Sequence, residues 1–288
     1  MTAGHLFCFG LGYTAAALAE RLRTKGWRIS GTRRASDQER TDCQRFDRDH
    51  PLGDLDAALA GVSHILSSVP PDAAGDPVLD LCAADLGRRQ DLQWVGYLST
   101  TGVYGDRAGG WVDEESRLEP VSERGRRRVE AEAGWRRLWR DHGLPVHVFR
   151  LAAIYGPGRN MLETVRSGRA QRVTKPGQLF SRVHVADICA VLEASMARPR
   201  AGGIYNVCDD LAAPPEDVVA HASALLGVRP PPAIPLEAAD LTAMARSFYG
   251  ESKRVRNDLI KQELGVMLAY PTYRDGLSAL NSRLLDPL

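Results

Sequence analysis

A doubly wound α/β fold with a parallel sheet is predicted by three features of this 288-residue sequence. Short apolar segments alternate with amphipathic segments through the first half, a pattern typical of a parallel sheet covered by helices on both faces. The character changes after Gly158, where polar loops and proline-rich linkers begin. Apolar residues make up 44% of the chain, which is enough for a sizeable core.

The strands are predicted where short apolar runs are bounded by glycine, proline or charged residues. In chain order they are HLFCFG, WRISGTRR, CQRFD, VSHILSSVPP, LQWVGYLST, PVHVFRLAAIYG and GGIYNVCDD. The helices are predicted where apolar residues recur on one face, as with Ala15, Leu18 and Leu22, and Gly26 is a stop signal for the first of them. They are YTAAALAERLRTKG, LDAALAG, DPVLDLCAADLGRR, RRRVEAEAGWRRLWRDHG and VADICAVLEASMARP.

Two domains are expected from the change of composition. The sheet and its helices account for residues 1–158, continued by residues 183–210. A small C-terminal substrate lobe is predicted from residues 159–182, which are polar, and residues 211–288, where helices are separated by linkers such as RPPPAIP.

The balance of charge excludes some classes of partner. With 37 basic and 36 acidic residues, the chain gives no reason to expect nucleic acid or a membrane as a partner. The five cysteines are scattered, which indicates thiols in a reducing compartment and no metal site. The sequence opens without a signal-peptide pattern, and no apolar run approaches the ~20 residues that span a bilayer. A cytoplasmic protein is the expectation.

A glycine-rich turn follows the first predicted strand and opens the first helix. Gly10, Gly12 and Ala15 fit the pattern G-x-G-x-x-A, in which the glycines permit a tight turn and the approach of a pyrophosphate. The helix N-terminus would supply N–H donors to the phosphates. A Rossmann-type dinucleotide-binding fold is therefore predicted. Further candidate cofactor contacts are Tyr13, Thr14 and Ser68.

The end of the second strand favours NADP(H), with NAD(H) as the alternative. A carboxylate that would bind the ribose 2′-hydroxyl is expected about 20 residues after the turn, but Thr32, Arg33 and Arg34 stand there. A guanidinium pairs well with a 2′-phosphate, although both arginines could simply be solvated. Asp47 is a candidate contact to the adenine ring, or a helix cap.

Several ordered blocks resemble the extended short-chain dehydrogenase/reductase superfamily, of the NAD-dependent epimerase/dehydratase type. They are STTGVYG, WVDEESRLEP, RLAAIYGPG, RVHVADI and GGIYNVCDD. The resemblance implies a Ser/Thr that hydrogen-bonds the substrate oxygen, a Tyr that acts as acid/base and a Lys that lowers the pKa of the Tyr. It also brings the expectation of a homodimer.

The catalytic positions depart from that pattern. Thr100 occupies the Ser/Thr position, with Ser99 and Thr101 beside it, whereas Arg124 and Arg128 occupy the Tyr and Lys positions. A guanidinium has a pKa above ~12 and cannot act as a conventional acid/base. Arg128 could still offer a fixed cation to the cofactor. The chain is thus expected to be an atypical branch of the superfamily.

Other residues are candidates for the missing roles. Tyr104 and Tyr155 lie at predicted strand ends, where ligands bind in such sheets, and Tyr104 is preferred as the proton donor. His184 fits a structural element better than a catalytic one. Phe180 stands where sugar-nucleotide enzymes of the superfamily commonly carry an arginine. Arg182, with Arg172 and Lys175 nearby, forms a cationic set that could bind an anionic substrate or be solvated.

The stretch FYGESK contains Tyr249 and Lys253 at the Tyr-x-x-x-Lys spacing, but far from the usual position in the sequence. Tyr249 is expected to be structural or to line the substrate side, with replacement of the missing proton donor as a rarer alternative. The preferred hypothesis is an NADP(H)-dependent oxidoreductase or epimerase/dehydratase-like enzyme acting on a small polar, anionic metabolite. The alternative is a catalytically inactive dinucleotide-binding regulatory or scaffold protein.

Overall fold

The computed structural model describes residues 3–34 and 43–285, with backbone alone for the last three of them. The chain divides into two compact units. The first unit contains residues 1–100, 123–150 and 189–205, and the second contains residues 101–122, 151–188 and 206–288. This division differs from the predicted domains, because residues 101–122, 151–158, 183–188 and 206–210, predicted with the sheet, fall in the second unit.

The strands alternate with helices along the chain, as the sequence predicts. The strands are β1 His5–Phe9, β2 Arg28–Arg33, β3 Cys43–Arg45, β4 His64–Ser67, β5 Trp94–Thr100, β6 Trp111–Val112, β7 Val146–Leu151, β8 Ala153–Tyr155, β9 Arg172–Thr174, β10 Arg182–His184, β11 Ile204–Val207, β12 Ala233–Pro235 and β13 Arg254–Val255. The α-helices are α1 Tyr13–Arg23, α2 Leu55–Ala58, α3 Pro77–Gly87, α4 Glu123–His142, α5 Met161–Arg166, α6 Val185–Ala197, α7 Pro215–Leu225, α8 Ala243–Phe248, α9 Asp258–Gln262 and α10 Tyr273–Leu285. Across the described ranges, none of these helices is both long enough and apolar enough to cross a bilayer.

The central sheet is parallel and has seven strands in the order β11-β7-β5-β4-β1-β2-β3. Leu6 of β1 lies beside Ile29 of β2 and His64 of β4. The chain therefore runs outward in one direction from β1 through β2 and β3, and in the other from β4 onward. Such a reversal opens a crevice at the carboxyl ends of the two central strands, where α/β sheets bind ligands.

The core of the first unit lies between the sheet and the helices α3 and α4. Ala131, Trp135 and Leu138 are buried at helical spacing on α4, so one face of this otherwise charged helix packs inward. The ring of Trp135 stacks on Tyr97 at 5.7 Å, and its Nε1 donates to Asp76, the N-cap of α3, at 3.0 Å. This packing fixes α4 beside the end of β5.

The second unit contains three small parallel pairs, β8–β10, β9–β12 and β6–β13. The predicted single strand PVHVFRLAAIYG is two strands in the structure, because the chain leaves the central sheet after Leu151 and β8 pairs with β10. The segment 159–182, expected to be loop-rich, contains α5 and β9. Its apolar residues pack with α7 and α10 in a separate core.

Candidate functional site

The glycine turn (residues 10–12) connects β1 to α1 at the reversal of the sheet. Gly10 has φ +85°, a conformation that an L side chain rarely adopts. Its N–H donates to Thr32 Oγ1 at 3.0 Å, and the next N–H, of Leu11, donates to Thr32 O at 2.7 Å. Ser68 Oγ donates to Gly10 O at 2.5 Å. The turn is thus held by hydrogen bonds from both neighbouring strand ends.

Gly12 leaves the first turn of α1 open. It is the N-cap of this helix, and no side chain caps the helix there. A Cβ built on Gly12 would meet no atom within 4 Å, and the first helical turn carries no acidic residue. The N–H groups of a helix's first turn and the positive end of the helix dipole together form an anion-binding position. The turn therefore fits the pyrophosphate of a dinucleotide, with Tyr13 and Thr14 at the start of the same helix.

The two arginines at the end of β2, Arg33 and Arg34, have exposed side chains. The guanidinium groups of Arg33 and Arg34 make no hydrogen bond or ion pair with the described residues. Asp47 is more constrained, since its carboxylate accepts from Asp49 N at 3.0 Å and bonds the His50 ring at 2.7 Å. The hydrogen bond with His50 is the main reason that the pKa of Asp47 is lowered. Asp47 thus stabilises its own turn, and its contact to adenine stays a prediction.

Arg128 is a positioned cation on α4. Its Nη1 donates to Leu98 O at 2.6 Å and to the Tyr97 hydroxyl at 3.1 Å. The guanidinium also lies 5.6 Å from the centre of the Tyr97 ring. It is therefore held at the end of β5, whereas Arg124, in the first turn of α4, is exposed.

Ser99 faces the interior of the first unit. Its hydroxyl donates to Glu132 Oε1 at 2.5 Å, and Glu132 forms an ion pair with Arg150 at 2.8 Å. All three residues are buried. The hydroxyl of Ser99 is engaged in a buried network, so the role predicted for it in substrate binding has no support from its contacts.

Thr100 ends β5, and Thr101 begins the 3-10 helix Thr101–Tyr104, both partly exposed. Tyr104 is fully buried in the second unit, where its hydroxyl donates to Asn206 Oδ1 at 2.7 Å. The Asn206 N–H in turn donates to Glu114 at 2.8 Å. Through these hydrogen bonds Tyr104 anchors the 3-10 helix Thr101–Tyr104 to β11. Its role as a proton donor stays a prediction.

Tyr155 and His184 pack edge to face at 5.2 Å in the second unit. Burial raises the pKa of Tyr155 well above its usual range, and the nearby carboxylate of Asp209 adds to the effect. His184 Nδ1 accepts from the Ala186 N–H at 3.1 Å. Asp187 accepts from the N–H groups of residues 269 and 270. The segment RVHVADI is therefore hydrogen-bonded to the loop at residues 269 and 270, which agrees with the structural role expected for it from the sequence.

Tyr249 and Lys253 do not form a helical pair. Helix α8 ends at Phe248, so the spacing of four residues does not bring the two side chains together on one helix face. Lys253 is buried and forms an ion pair with Glu251 at 2.7 Å. Tyr249 is half-buried, with its ring edge-on to Phe180 at 5.5 Å. The pair is not the usual catalytic arrangement.

Three residues with clear roles escaped the interpretation of the sequence. Thr32 holds the glycine turn, Tyr97 fixes Arg128, and Asn206 accepts from Tyr104. Thr32 lies near the end of β2, where a dinucleotide site is expected to have a carboxylate. A hydroxyl that stabilises the glycine turn was not expected there. The other two depend on contacts between distant segments.

The chain was compared with known families and proteins. The model of the NAD dependent epimerase/dehydratase family matches residues 10–208. Protein YeeZ of Escherichia coli strain K12 is 29% identical over 284 residues, covering 91% of this chain and 94% of that protein.

Solved structures extend the similarity over nearly the whole chain. A conserved protein of unknown function from Silicibacter pomeroyi DSS is 50% identical, with a TM-score of 0.89 over 98% of this chain and 99% of its own. The dTDP-glucose 4,6-dehydratase from Bacillus anthracis, in complex with NAD, is 18% identical, with a TM-score of 0.77 over 99% of this chain and 97% of its own. The second likeness is one of fold.

Proposed function

The chain belongs to the NAD dependent epimerase/dehydratase family, and on this premise we propose that it binds a nicotinamide dinucleotide at the glycine turn and acts as an oxidoreductase or epimerase/dehydratase-like enzyme. The observation that carries the proposal is the uncapped start of α1 beside Gly12. When bound, the dinucleotide supplies hydride transfer at its nicotinamide ring. Gly10 and Gly12 let its pyrophosphate approach the N-terminus of α1, where Tyr13 and Thr14 lie, while Ser68 keeps the turn in place.

NADP(H) is the proposed form of the cofactor. Arg33 and Arg34 are exposed guanidinium groups at the end of β2, and the described residues there, 32–34, include no carboxylate to bind a 2′-hydroxyl. A phosphate accepts charge-assisted, bidentate hydrogen bonds from arginine. Arg128 adds a cation whose direction is fixed by Tyr97.

The proposed substrate is a small polar metabolite with an anionic group. Thr100 is the proposed hydrogen-bond donor to the reacting oxygen, because it takes the family's Ser/Thr position and is partly exposed. Arg182, Tyr155 and Tyr249 are the proposed substrate contacts in the second unit. A cytoplasmic location and a homodimer stay predictions.

A second candidate function is a dinucleotide-binding regulatory protein without catalysis. Arg124 and Arg128 in the Tyr and Lys positions favour it, together with the hydrogen bond that occupies the hydroxyl of Tyr104. The two functions share cofactor binding and differ in turnover.

Calorimetric titration of the 288-residue protein with NADPH and NADH tests cofactor binding. Replacing Arg33 and Arg34 by Ala should weaken NADPH at least about tenfold, since each hydrogen bond to a charged group contributes about 1.5–3 kcal/mol. NADH should change by less than about twofold. Equal losses for both cofactors would defeat the preference for NADP(H).

Turnover separates the enzyme from the regulatory protein. The protein with saturating NADP⁺ or NADPH is incubated with hydroxy acids and their keto analogues, and absorbance at the nicotinamide band is followed. Cofactor oxidation or reduction that falls in Thr100→Val supports the enzyme. Because an epimerase or dehydratase returns the hydride and leaves the cofactor unchanged, the compounds are also analysed by NMR. Tight cofactor binding with neither a change at the nicotinamide band nor a new product supports the regulatory protein.

A further inference from the structure

Arg182 presents one edge of its guanidinium to the protein and leaves the rest uncommitted. Nη1 donates to Phe180 O at 2.8 Å and to Ala213 O at 3.1 Å. The group lies 5.7 Å from the centre of the Tyr273 ring. Within residues 3–34 and 43–285, Nε and Nη2 make no hydrogen bond. A guanidinium held at one edge by two carbonyls can offer its other donors to a ligand in a fixed direction.

The Tyr249 hydroxyl is a second uncommitted group in the same unit. It has no hydrogen-bond partner among the described residues, although its ring is packed on Phe180. Burial raises the pKa of Tyr249, and the charge of Glu216 raises it further, while Arg182 acts in the opposite direction. The phenol therefore remains a donor at neutral pH. It lies near Arg182, because the Arg182 guanidinium is 6.0 Å from the centre of the same Phe180 ring.

Asp209 supplies a buried carboxyl beside Arg182. Its N–H donates to Arg182 O at 2.6 Å, and its Oδ1 accepts from Leu211 N at 3.3 Å. The residue is only 3% exposed. Its Oδ2 has no partner in the described part of the chain, and Oε2 of Glu216 is also buried without one. An unsatisfied buried oxygen costs about 1–3 kcal/mol, so its retention calls for a functional explanation.

We propose that Arg182, Tyr249 and Asp209 form a subsite, the lobe subsite, for a carboxylate ligand that also carries hydroxyl groups, the class of hydroxy acids and sugar acids. The ligand carboxylate accepts from Arg182 and Tyr249, and a ligand hydroxyl donates to Asp209 Oδ2. The inference rests on the proposed function and narrows its substrate class.

The acidic groups favour this class over phosphate. A phosphate carries more negative charge than a carboxylate near neutral pH, and this charge matches Arg182 but faces the Asp209 and Glu216 oxygens that have no partner among the described residues. A hydroxyl is a donor and satisfies such an oxygen. Burial raises the pKa of Asp209 to about 7, against the opposing effects of the Leu211 N–H and the Arg182 charge, which limits its repulsion of an anion near neutral pH.

The test uses D-glucuronate as the probe, titrated by calorimetry into the 288-residue protein saturated with NADPH. D-glucose matches its hydroxyls and lacks the carboxylate, acetate has only the carboxylate, and inorganic phosphate is the competing anion. Glucuronate should bind at least about tenfold more tightly than any of the three, which is the contribution of one charge-assisted hydrogen bond. Equal affinities, or tighter binding of phosphate, would overturn the proposal.

Tyr249→Phe is the decisive variant, because its hydroxyl has no partner in the described chain and its removal leaves the packing intact. It should weaken glucuronate about fivefold to tenfold. Arg182→Lys should weaken it at least about tenfold, since the forked donor is lost. Asp209→Ala should reduce the ratio of the glucuronate affinity to the acetate affinity, because the acceptor for the ligand hydroxyl is lost. The control is Arg166→Gln, an exposed cation on α5, which should leave the affinity unchanged.

The NADPH affinity of the same samples shows whether the lobe subsite or the proposed cofactor-dependent function has failed. Binding of NADPH with no preference for glucuronate defeats the lobe subsite and leaves the proposed function standing. Binding of glucuronate that is weakened about fivefold to tenfold in Tyr249→Phe, without any binding of NADPH, defeats the proposed function and leaves the subsite.

Discussion

His147 is an imidazole on β7 that is completely buried in the first unit. Its ring stacks on Trp94, with 5.8 Å between the centres and 23° between the planes. Neither ring nitrogen makes a hydrogen bond with the described residues. Burial lowers the pKa of His147 to about 4, although the nearby backbone of Val95 and Pro145 acts in the opposite direction. The folded protein therefore holds this side chain neutral.

The lowered pKa has a defined effect on stability. In the unfolded chain the imidazole titrates near 6.5, so below that pH the unfolded state binds a proton that the folded state does not. Stability is full above pH 6.5 and is lost as the pH falls toward 4. Because one pKa unit corresponds to about 1.4 kcal/mol, the loss from His147 between pH 7 and pH 4.5 is about 2 kcal/mol.

The perturbation is His147→Phe, which keeps an aromatic ring against Trp94 and removes the titration. Urea unfolding, followed by tryptophan fluorescence, gives the free energy of unfolding at pH 7 and at pH 4.5. The difference between the two pH values should be about 2 kcal/mol smaller in the variant than in the original protein. Any packing cost of the larger ring is the same at both pH values and cancels.

The matched control is His142→Asn on α4, because the side chain of His142 is exposed. Its loss of stability between the two pH values should match that of the original protein within about 0.5 kcal/mol. The reasoning would be refuted if His147→Phe lost as much stability on acidification as the original protein.

Three further substitutions test separate parts of the account by urea unfolding and NADPH titration. Glu132→Gln removes the negative charge that pairs with the buried guanidinium of Arg150 and should destabilise the protein by about 3 kcal/mol; a change below about 1 kcal/mol would contradict the buried network. Gly10→Ala forces a side chain into φ +85° with its Cβ 3.0 Å from Ser68 Oγ, and should cost about 1–2 kcal/mol of stability as well as cofactor affinity. Lys253→Met removes the ion-pair partner of the partly buried Glu251 carboxylate and should destabilise the protein by about 1–2 kcal/mol with NADPH affinity unchanged; a large loss of NADPH affinity would indicate that Lys253 contacts the cofactor.

The local parts of the fold could be predicted from the sequence. The glycine turn follows from a strand, two glycines and a helix in immediate succession, and the structure has Gly10 at φ +85° and Gly12 at the start of α1. The family and the parallel sheet were also correctly predicted. These features depend on residues close together in the chain, where backbone conformation and periodicity leave a direct trace.

The parts that the sequence could not give depend on distant contacts. Residues 101–122 belong with the second unit because Tyr104 bonds Asn206 and β6 pairs with β13, and nothing in the local sequence indicates these pairings. The inward direction of Ser99 depends on Glu132, 33 positions later. The Tyr249–Lys253 spacing matches that of a catalytic pair, but helix α8 ends at Phe248, before either residue.

The central claim is that a dinucleotide lies on the glycine turn, and Gly12→Ala tests it most directly. Gly12 has φ −81°, which alanine adopts, and an added Cβ meets no protein atom within 4 Å. Gly53→Ala is the matched control, since a Cβ there also meets nothing within 4 Å. Calorimetric titration with NADPH should show at least about tenfold weaker binding for Gly12→Ala, with unchanged stability, and no effect for Gly53→Ala. Equal NADPH affinity in Gly12→Ala and the original protein would contradict the account.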